Sequence, residues 1–388
     1  MRSVSTFANI ADHHSVVFRD PHAYSAHPHL AVTGNGDWLL LFTQAPRRQG
    51  VLHPPQDPLY RNLLVRSCDE GRSWTAPSPV PGFGWHGMEC AGLTPLRSGG
   101  VLVNQWKFHW YTRAHAQAYL PPGSYLLAED LMDTAGMGAE LSDWQPNPTT
   151  ISQYQWARGD GETWVHLTMD GGATFTRSTR VNTSPFSGGY GMRGGFEIDG
   201  EVVLPLCDVP NWRQIFVIRS RDGGETWSPP SLVATGEQHA FEEPCPLVLG
   251  SGRVLMMLRD NSTRVLHMVS SLDGGMTWSA PAPTSITDYP ADLLELEDGV
   301  IVCVAGRRRP PYGIFLYISE DEGRHWYPEH GVAVRADLPN RDLGYPSLAR
   351  RADGSLFVLY YAQDAEGVTG IHATVLRLAK EGTAYGGG

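Results

Sequence analysis

The sequence predicts an all-β, six-bladed propeller, and three observations carry that reading. A phrase built on Ser or Thr, Asp, Gly and an aromatic occurs five times: SCDEGRSWT from 67, TMDGGATFT from 168, SRDGGETWS from 220, SLDGGMTWS from 271 and SEDEGRHWY from 319. The last four copies start 52, 51 and 48 residues apart, close to the length of one four-stranded blade. Six pairs of apolar, β-rich runs, each pair joined by a Gly-containing turn, accompany the phrases, which is the hairpin pattern.

The hairpins begin at HPHLAVTGNGDWLLLFTQ from 27 and MECAGLTPLRSGGVLVNQW from 88. MRGGFEIDGEVVLPLCD from 192 and EPCPLVLGSGRVLMMLRD from 243 follow, then YPADLLELEDGVIVCVAG from 289 and YPSLARRADGSLFVLYYA from 345. The first two phrases start 101 residues apart, with no second hairpin between 107 and 160. That segment is expected to be an insertion in blade two of a single domain spanning 1–388. The sixth unit ends in GIHATVLRL without a phrase, so a terminal segment such as HSVVFRD near 15 is expected to close the ring as an extra strand, leaving only short edges. In the phrase itself, glycines permit positive φ in a tight turn. The Asp carboxylate accepts turn N–H groups, and the Trp packs beneath. Five copies point to a fold staple rather than to one active site.

Composition narrows the function. The chain has 388 residues, 41% hydrophobic and 18% charged, with a net charge of −11. That balance argues against a general nucleic-acid binder, which needs a basic face, yet allows an anionic small substrate in a locally basic pocket. No run approaches a membrane span, and no signal peptide is visible. A cytoplasmic location is therefore expected, or a secreted one for a chain that has lost its leader. The five cysteines are widely spaced, without metal-ligand spacing, and read as buried free thiols in a reducing compartment. No cofactor or metal is expected, although the alternating His27 and His29 would offer a transition metal two rings on one strand face.

In a propeller the starts of the innermost strands converge on the axis. The repeat places His27 and His29, Glu89, Arg193, Glu242 and Glu243, Asp288 with Tyr289, and Asp342 with Tyr345 there. Polar groups beside such apolar strands suggest a shared pocket. Trp106, His109, Trp110 and Tyr111 would stack on a sugar ring at its entrance.

Five S-x-D-x-G-x-x-W-like boxes in six β units resemble the Asp boxes of the sialidase (neuraminidase) superfamily, across residues 25–380. The resemblance implies a propeller with its active site at one end of the axis and a glycan as substrate. DLGYPSLARRADGSLFVLYY resembles the segment carrying the family's nucleophilic tyrosine, which puts that role on Tyr345. A neutral phenol is a poor nucleophile, with a pKa of about 10, so a carboxylate must take its proton. The resemblance gives that task to a Glu opening blade four, Glu242 or Glu243. Glu243 is preferred because it precedes a proline, as Tyr345 does. A tyrosine suits an anionic sugar, which would repel a carboxylate nucleophile. The family's carboxylate-binding arginines are matched by Arg259 and by one of Arg307, Arg308 and Arg309, and Glu89 matches an acidic position opening blade two.

Two positions depart from the family. Ala26 or His27 stands where the first arginine is expected, with Arg193 as a replacement from another blade. The loop after the first hairpin has no clean match for the acid/base Asp, and Asp57, with Asp20 behind it, is the candidate. The implied activity is a retaining exo-glycosidase acting on sialic acid or a related nonulosonate. The alternatives are a hydrolase of a neutral or uronic sugar, similar to exo-arabinanases and using Glu89 with Glu243, and a non-catalytic carbohydrate-binding propeller.

Overall fold

A computed structural model describes residues 7–47, 57–82, 88–127, 130, 154–209, 211–236 and 238–380, with backbone alone at 10, 11 and 88–90. The strands of these residues form six antiparallel sheets arranged as blades. Blade one is Ala23–Val32, Trp38–Pro46, Arg61–Ser67 and Ser78–Pro79. Blade four repeats the plan with Phe241–Val248, Val254–Asp260, Val265–Ser271 and Ala282–Pro283. Blade five has Ala291–Glu295, Ile301–Arg307, Gly313–Ser319 and Val332–Arg335. The second strands read as continuous apolar runs because both their faces are covered by neighbouring blades: every residue of Val254–Asp260 is buried. Leu39, Leu41 and Leu64 of blade one, for example, share a core with Leu93 and Val103 of blade two.

The ring closes as the sequence leads one to expect. Phe7–Phe18 pairs antiparallel with Thr369–Lys380, which follows Gly344–Arg350 and Leu356–Gln363 in blade six. The first and last parts of the described chain thus share one sheet, and that sheet locks the circle.

Blades two and three depart from the simple repeat. In blade two, Val101–Thr112 pairs with Trp156–Thr168 in register from Val101↔Thr168 to Thr112↔Trp156. The aromatic stretch expected in an insertion is therefore strand up to Thr112. Its period of two shows why: Trp106, Phe108 and Trp110 are buried, whereas His109 is exposed. A short helix, Arg113–Tyr119, follows, capped by the Thr112 side chain, which accepts the His115 N–H. In blade three the innermost strand is split into Gly188–Tyr190 and Phe196–Ile198, both paired with Glu201–Val209. The gap holds Arg193. Of the cysteines, Cys207, Cys245 and Cys303 are buried and Cys68 is exposed, so the expectation of burial holds for three of the described thiols.

All five boxes share one bond pattern. In the first, Ser67 Oγ donates to Asp69 at 2.7 Å and accepts the Gly71 N–H at 2.8 Å. Asp69 also takes the Ser73 N–H at 2.8 Å and its hydroxyl at 2.5 Å. Thr168–Asp170–Thr174, Ser220–Asp222–Thr226, Ser271–Asp273–Thr277 and Ser319–Asp321–His325 repeat it. The box also docks its blade on the preceding one. Gly172 and Gly224 have positive φ, which favours glycine, and a Cβ there would lie 2.9 Å from the methyl groups of Leu64 and Leu102 respectively.

The Ser73 hydroxyl and N–H hold the Asp69 carboxyl down, from 3.8 to about 2. A depressed carboxyl contributes stability above its unfolded pKa and loses it as pH falls through the folded one. Asp69→Asn should therefore lower the melting temperature at pH 6, and the gap to wild type should close between pH 3.8 and about 2. A gap that persists unchanged at pH 2 would contradict this assignment.

Candidate active site

The site grows from one backbone device. On the innermost strands of blades one, four and six, the residue before a proline sits in the left-handed region: His27 with φ +54, Glu243 with φ +53 and Tyr345 with φ +44. Bulky residues rarely occupy it. The strand register slips at each of these places, between Ala26 and His29, Glu242 and Cys245, and Gly344 and Ser347. Neighbouring residues of a regular strand point to opposite faces. The bulge breaks that alternation and re-aims side chains, so that both Glu242 and Glu243 reach one arginine.

That arginine is Arg259, whose Cα is the register partner of Glu242. Its Nη1 donates to both oxygens of Glu243 at 3.1 Å, and its Nε lies 3.1 Å from Glu242 Oε1. Asn261 accepts from Arg259 Nε at 2.8 Å and donates to Glu242 at 2.6 Å. The guanidinium also lies over the Tyr289 ring, 4.6 Å from its centroid. Tyr345 OH donates to Glu243 Oε1 at 2.5 Å. A phenol and a carboxylate 102 residues apart in sequence are thus in direct contact, with the carboxylate placed to receive the phenolic proton. Arg308 lies over the Tyr345 ring at 5.3 Å, and the His27 ring meets it edge-on at 4.5 Å.

Burial sets the electrostatics. It raises the Glu242 carboxyl to about 7 despite Arg259, with the Glu243 charge adding to the rise. On the side of blades one and six, Tyr24 OH donates to the buried Asp342 at 2.9 Å, and the Tyr361 ring lies 5.4 Å from His27. Burial, then the Asp342 charge, pushes both phenols, Tyr24 and Tyr361, well above their ordinary range. Tyr24 and Tyr361 were not singled out from the sequence. Their only signal there is position, near the start of blade one's first strand and the end of blade six's second.

Other expected residues have different surroundings. Arg193, expected as a substrate arginine, donates to three backbone carbonyls, those of Ala291, Pro28 and Pro346. Arg307 donates to Asp288 at 2.9 Å and to Tyr317 OH at 3.1 Å, so of the arginine triplet it is Arg308 that reaches Tyr345. His29 accepts the Leu93 N–H through Nδ1 at 3.0 Å, tying blade one to blade two. His27 instead packs against blade six, edge-on to Tyr345 and Tyr361. Trp106 is 3% exposed, packed by Phe108, Tyr190, Trp212 and Arg158, so it is core and leaves no face for a sugar. Asp57 is buried and accepts the Leu59 N–H at 2.8 Å. Glu89 lies in Met88–Pro95 opposite Trp106, at another register slip, with its side chain outside the described residues.

Among the described residues, His239, Asp260 and His267 bring three ligand-type atoms within 4.8 Å. The Asp260 oxygens already accept from His239, Ala240, Ser262 and Thr263, which makes the group a staple for the loop after Val254–Asp260.

Residues 141–358, more than half of the chain, match the BNR repeat-like domain. The chain belongs to the BNR repeat-like family. No curated protein matches it. Among solved structures, this BNR protein is similar to a protein of unknown function from Dyadobacter fermentans: 22% identity, TM-score 0.75, covering 96% of this chain and 100% of that one. The leech intramolecular trans-sialidase, complexed with 2,7-anhydro-Neu5Ac, follows at 13% identity and TM-score 0.61, covering 96% and 70%. The Penicillium chrysogenum alpha-L-arabinanase complexed with arabinobiose has 13% identity and TM-score 0.56, covering 96% and 98%. These likenesses establish a sialidase-like propeller fold, distantly similar to glycoside hydrolases.

A carboxyl with a raised pKa favours folding below its unfolded value and loses that contribution as pH rises through the folded one. Glu242→Gln should therefore gain stability relative to wild type as pH rises from 4.5 through about 7. Melting temperatures across that range check it, and a gap independent of pH would contradict burial as the cause.

Proposed function

We propose that this BNR protein is a retaining exo-glycosidase in which Tyr345 attacks the anomeric carbon while Glu243 takes the phenolic proton. The observation that carries the reading is the 2.5 Å bond from Tyr345 OH to Glu243. A second carboxylate oxygen held by Arg259 keeps Glu243 oriented as the proton arrives. The glycosyl–tyrosine bond forms as the glycosidic bond breaks, and water then releases the sugar with the steps reversed.

The preferred substrate is a sugar with an anionic group at or near the anomeric centre. Tyrosine avoids the repulsion a carboxylate nucleophile would meet there, and Arg259 and Arg308 supply positive charge beside the ring. A neutral or uronic sugar is the second reading. One observation favours it: His27 stands beside Tyr345 where the resemblance calls for a first arginine, while Arg193 and Arg307 are bound elsewhere. The proton donor to the leaving oxygen is Asp57 or Glu242, and burial raises the Glu242 carboxyl, which favours its protonated form.

Hydrolysis of activated glycosides of N-acetylneuraminic acid, related nonulosonates, uronic acids and arabinose tests the reading. Turnover is expected on an acidic glycoside. Tyr345→Phe should lower it to background, and Glu243→Gln should lower kcat by about 10²- to 10⁴-fold. Turnover that survives Tyr345→Phe would overturn the assignment. The acid is found by leaving group: its Asn or Gln variant should lose activity on a poor leaving group and keep it on a good one.

A further inference from the structure

Arg193 is buried at the axis, in the gap between Gly188–Tyr190 and Phe196–Ile198. The chain is driven deep there. A Cβ at Gly194 would lie 2.1 Å from Leu93 O, and one at Gly92 would lie 2.1 Å from Gly194 N, so only glycines let blades two and three meet this closely. From that place the side chain spans the axis. Nε donates to Ala291 O of blade five at 3.0 Å, Nη1 to Pro28 O of blade one at 3.3 Å and Nη2 to Pro346 O of blade six at 2.8 Å.

Two of these acceptors belong to the residues directly after His27 and Tyr345. Both of those residues are left-handed, φ +54 and +44. A left-handed bulky residue is strained and persists only where its surroundings hold it. Here the rigid fork of one guanidinium grips the carbonyl just after the left-handed residue in both bulges.

We propose that Arg193 is a positioning residue, which acts through the carbonyls of Pro28 and Pro346 to hold the Tyr345 hydroxyl on Glu243 and the His27 ring against Tyr345. Other bonds at this level support the same alignment. Ser347 accepts the Leu30 N–H at 3.0 Å and donates to Asp292 at 2.7 Å, which also takes the Leu348 N–H at 3.1 Å. These bonds tie blades one, six and five side by side, whereas Arg193 adds blade three and reaches the bulges themselves. Lysine can keep the charge but cannot span three carbonyls with a planar fork.

The inference rests on the reading of Tyr345 as nucleophile, and its test needs no turnover. Tyrosine labelled with 13C at Cζ reports each phenol by NMR, with Tyr345 assigned by its loss in Tyr345→Phe. In Arg193→Lys the Tyr345 resonance and its pH titration are expected to move, while the melting temperature shows a folded protein. In Arg193→Ala, added guanidinium ion is expected to return the resonance toward its wild-type place. A Tyr345 resonance and titration unchanged in folded Arg193→Lys would overturn the proposal. So would a lysine variant that does not fold, since Arg193 would then serve the fold as a whole. Once a substrate is in hand, Arg193→Lys should lower kcat by about 10- to 100-fold, with KM nearly unchanged. A glycosidase activity that fails to appear while the resonance moves removes the reaction and leaves the positioning role standing.

Discussion

The left-handed residue before a proline is the constraint on which the site depends. A regular strand entering the axis would alternate its side chains, and the blades would present one residue in two. By slipping register there, blades one, four and six each deliver His27, Glu243 and Tyr345 to a common point. The conformation is costly for such side chains, of order 1–3 kcal/mol each. The ring supplies what holds it: six sheets locked by a shared last blade, with bonds across the axis beneath the site. Fold stability and site geometry are therefore linked through backbone carbonyls rather than through side chains that face a ligand.

A second consequence is electrostatic. Arg259 is 5% exposed and shared by two carboxylates. Burial lowers its pKa, and the charges of Glu242 and Glu243 more than offset that, leaving it well above its ordinary range. Burial in turn raises the Glu242 carboxyl, with the Glu243 charge adding to the rise and Arg259 opposing it. Removing Arg259 would leave the two buried carboxyls without their cation, which destabilises more than the pairing itself stabilises. The trio thus works as a unit, and single substitutions in it will not add.

Much of this was legible in the sequence, for definite reasons. The boxes and hairpins are local patterns, and their repetition at a blade-length period fixes their number and order. The resemblance paired Tyr345 with a Glu opening blade four, and the shared X-Pro place chose Glu243 over Glu242. The side chains that cross between blades were harder to read. GMRGG does mark a break in blade three's first strand, but nothing local tells that Arg193 turns to Pro28, Ala291 and Pro346 rather than to a substrate. Within RRRPP, only the packing decides that Arg307 goes to Asp288 and Arg308 to Tyr345. Trp106 looked like a sugar platform because it lies beside aromatics, whereas the period of two through Phe108 and Trp110 identifies a strand with one buried face. Tyr24, Asp342 and Tyr361 come together only when the ring closes.

The central claim is that Tyr345 forms the bond to the sugar. The most direct measurement is peptide mapping by mass spectrometry after incubation with a fluorinated glycosyl fluoride of an acidic sugar, which slows release of the covalent intermediate. The account predicts a glycosyl adduct on the peptide containing Tyr345, with fragmentation placing it on that residue. An adduct on Glu242 or Glu243 instead would contradict it, and would make this propeller a carboxylate-nucleophile enzyme.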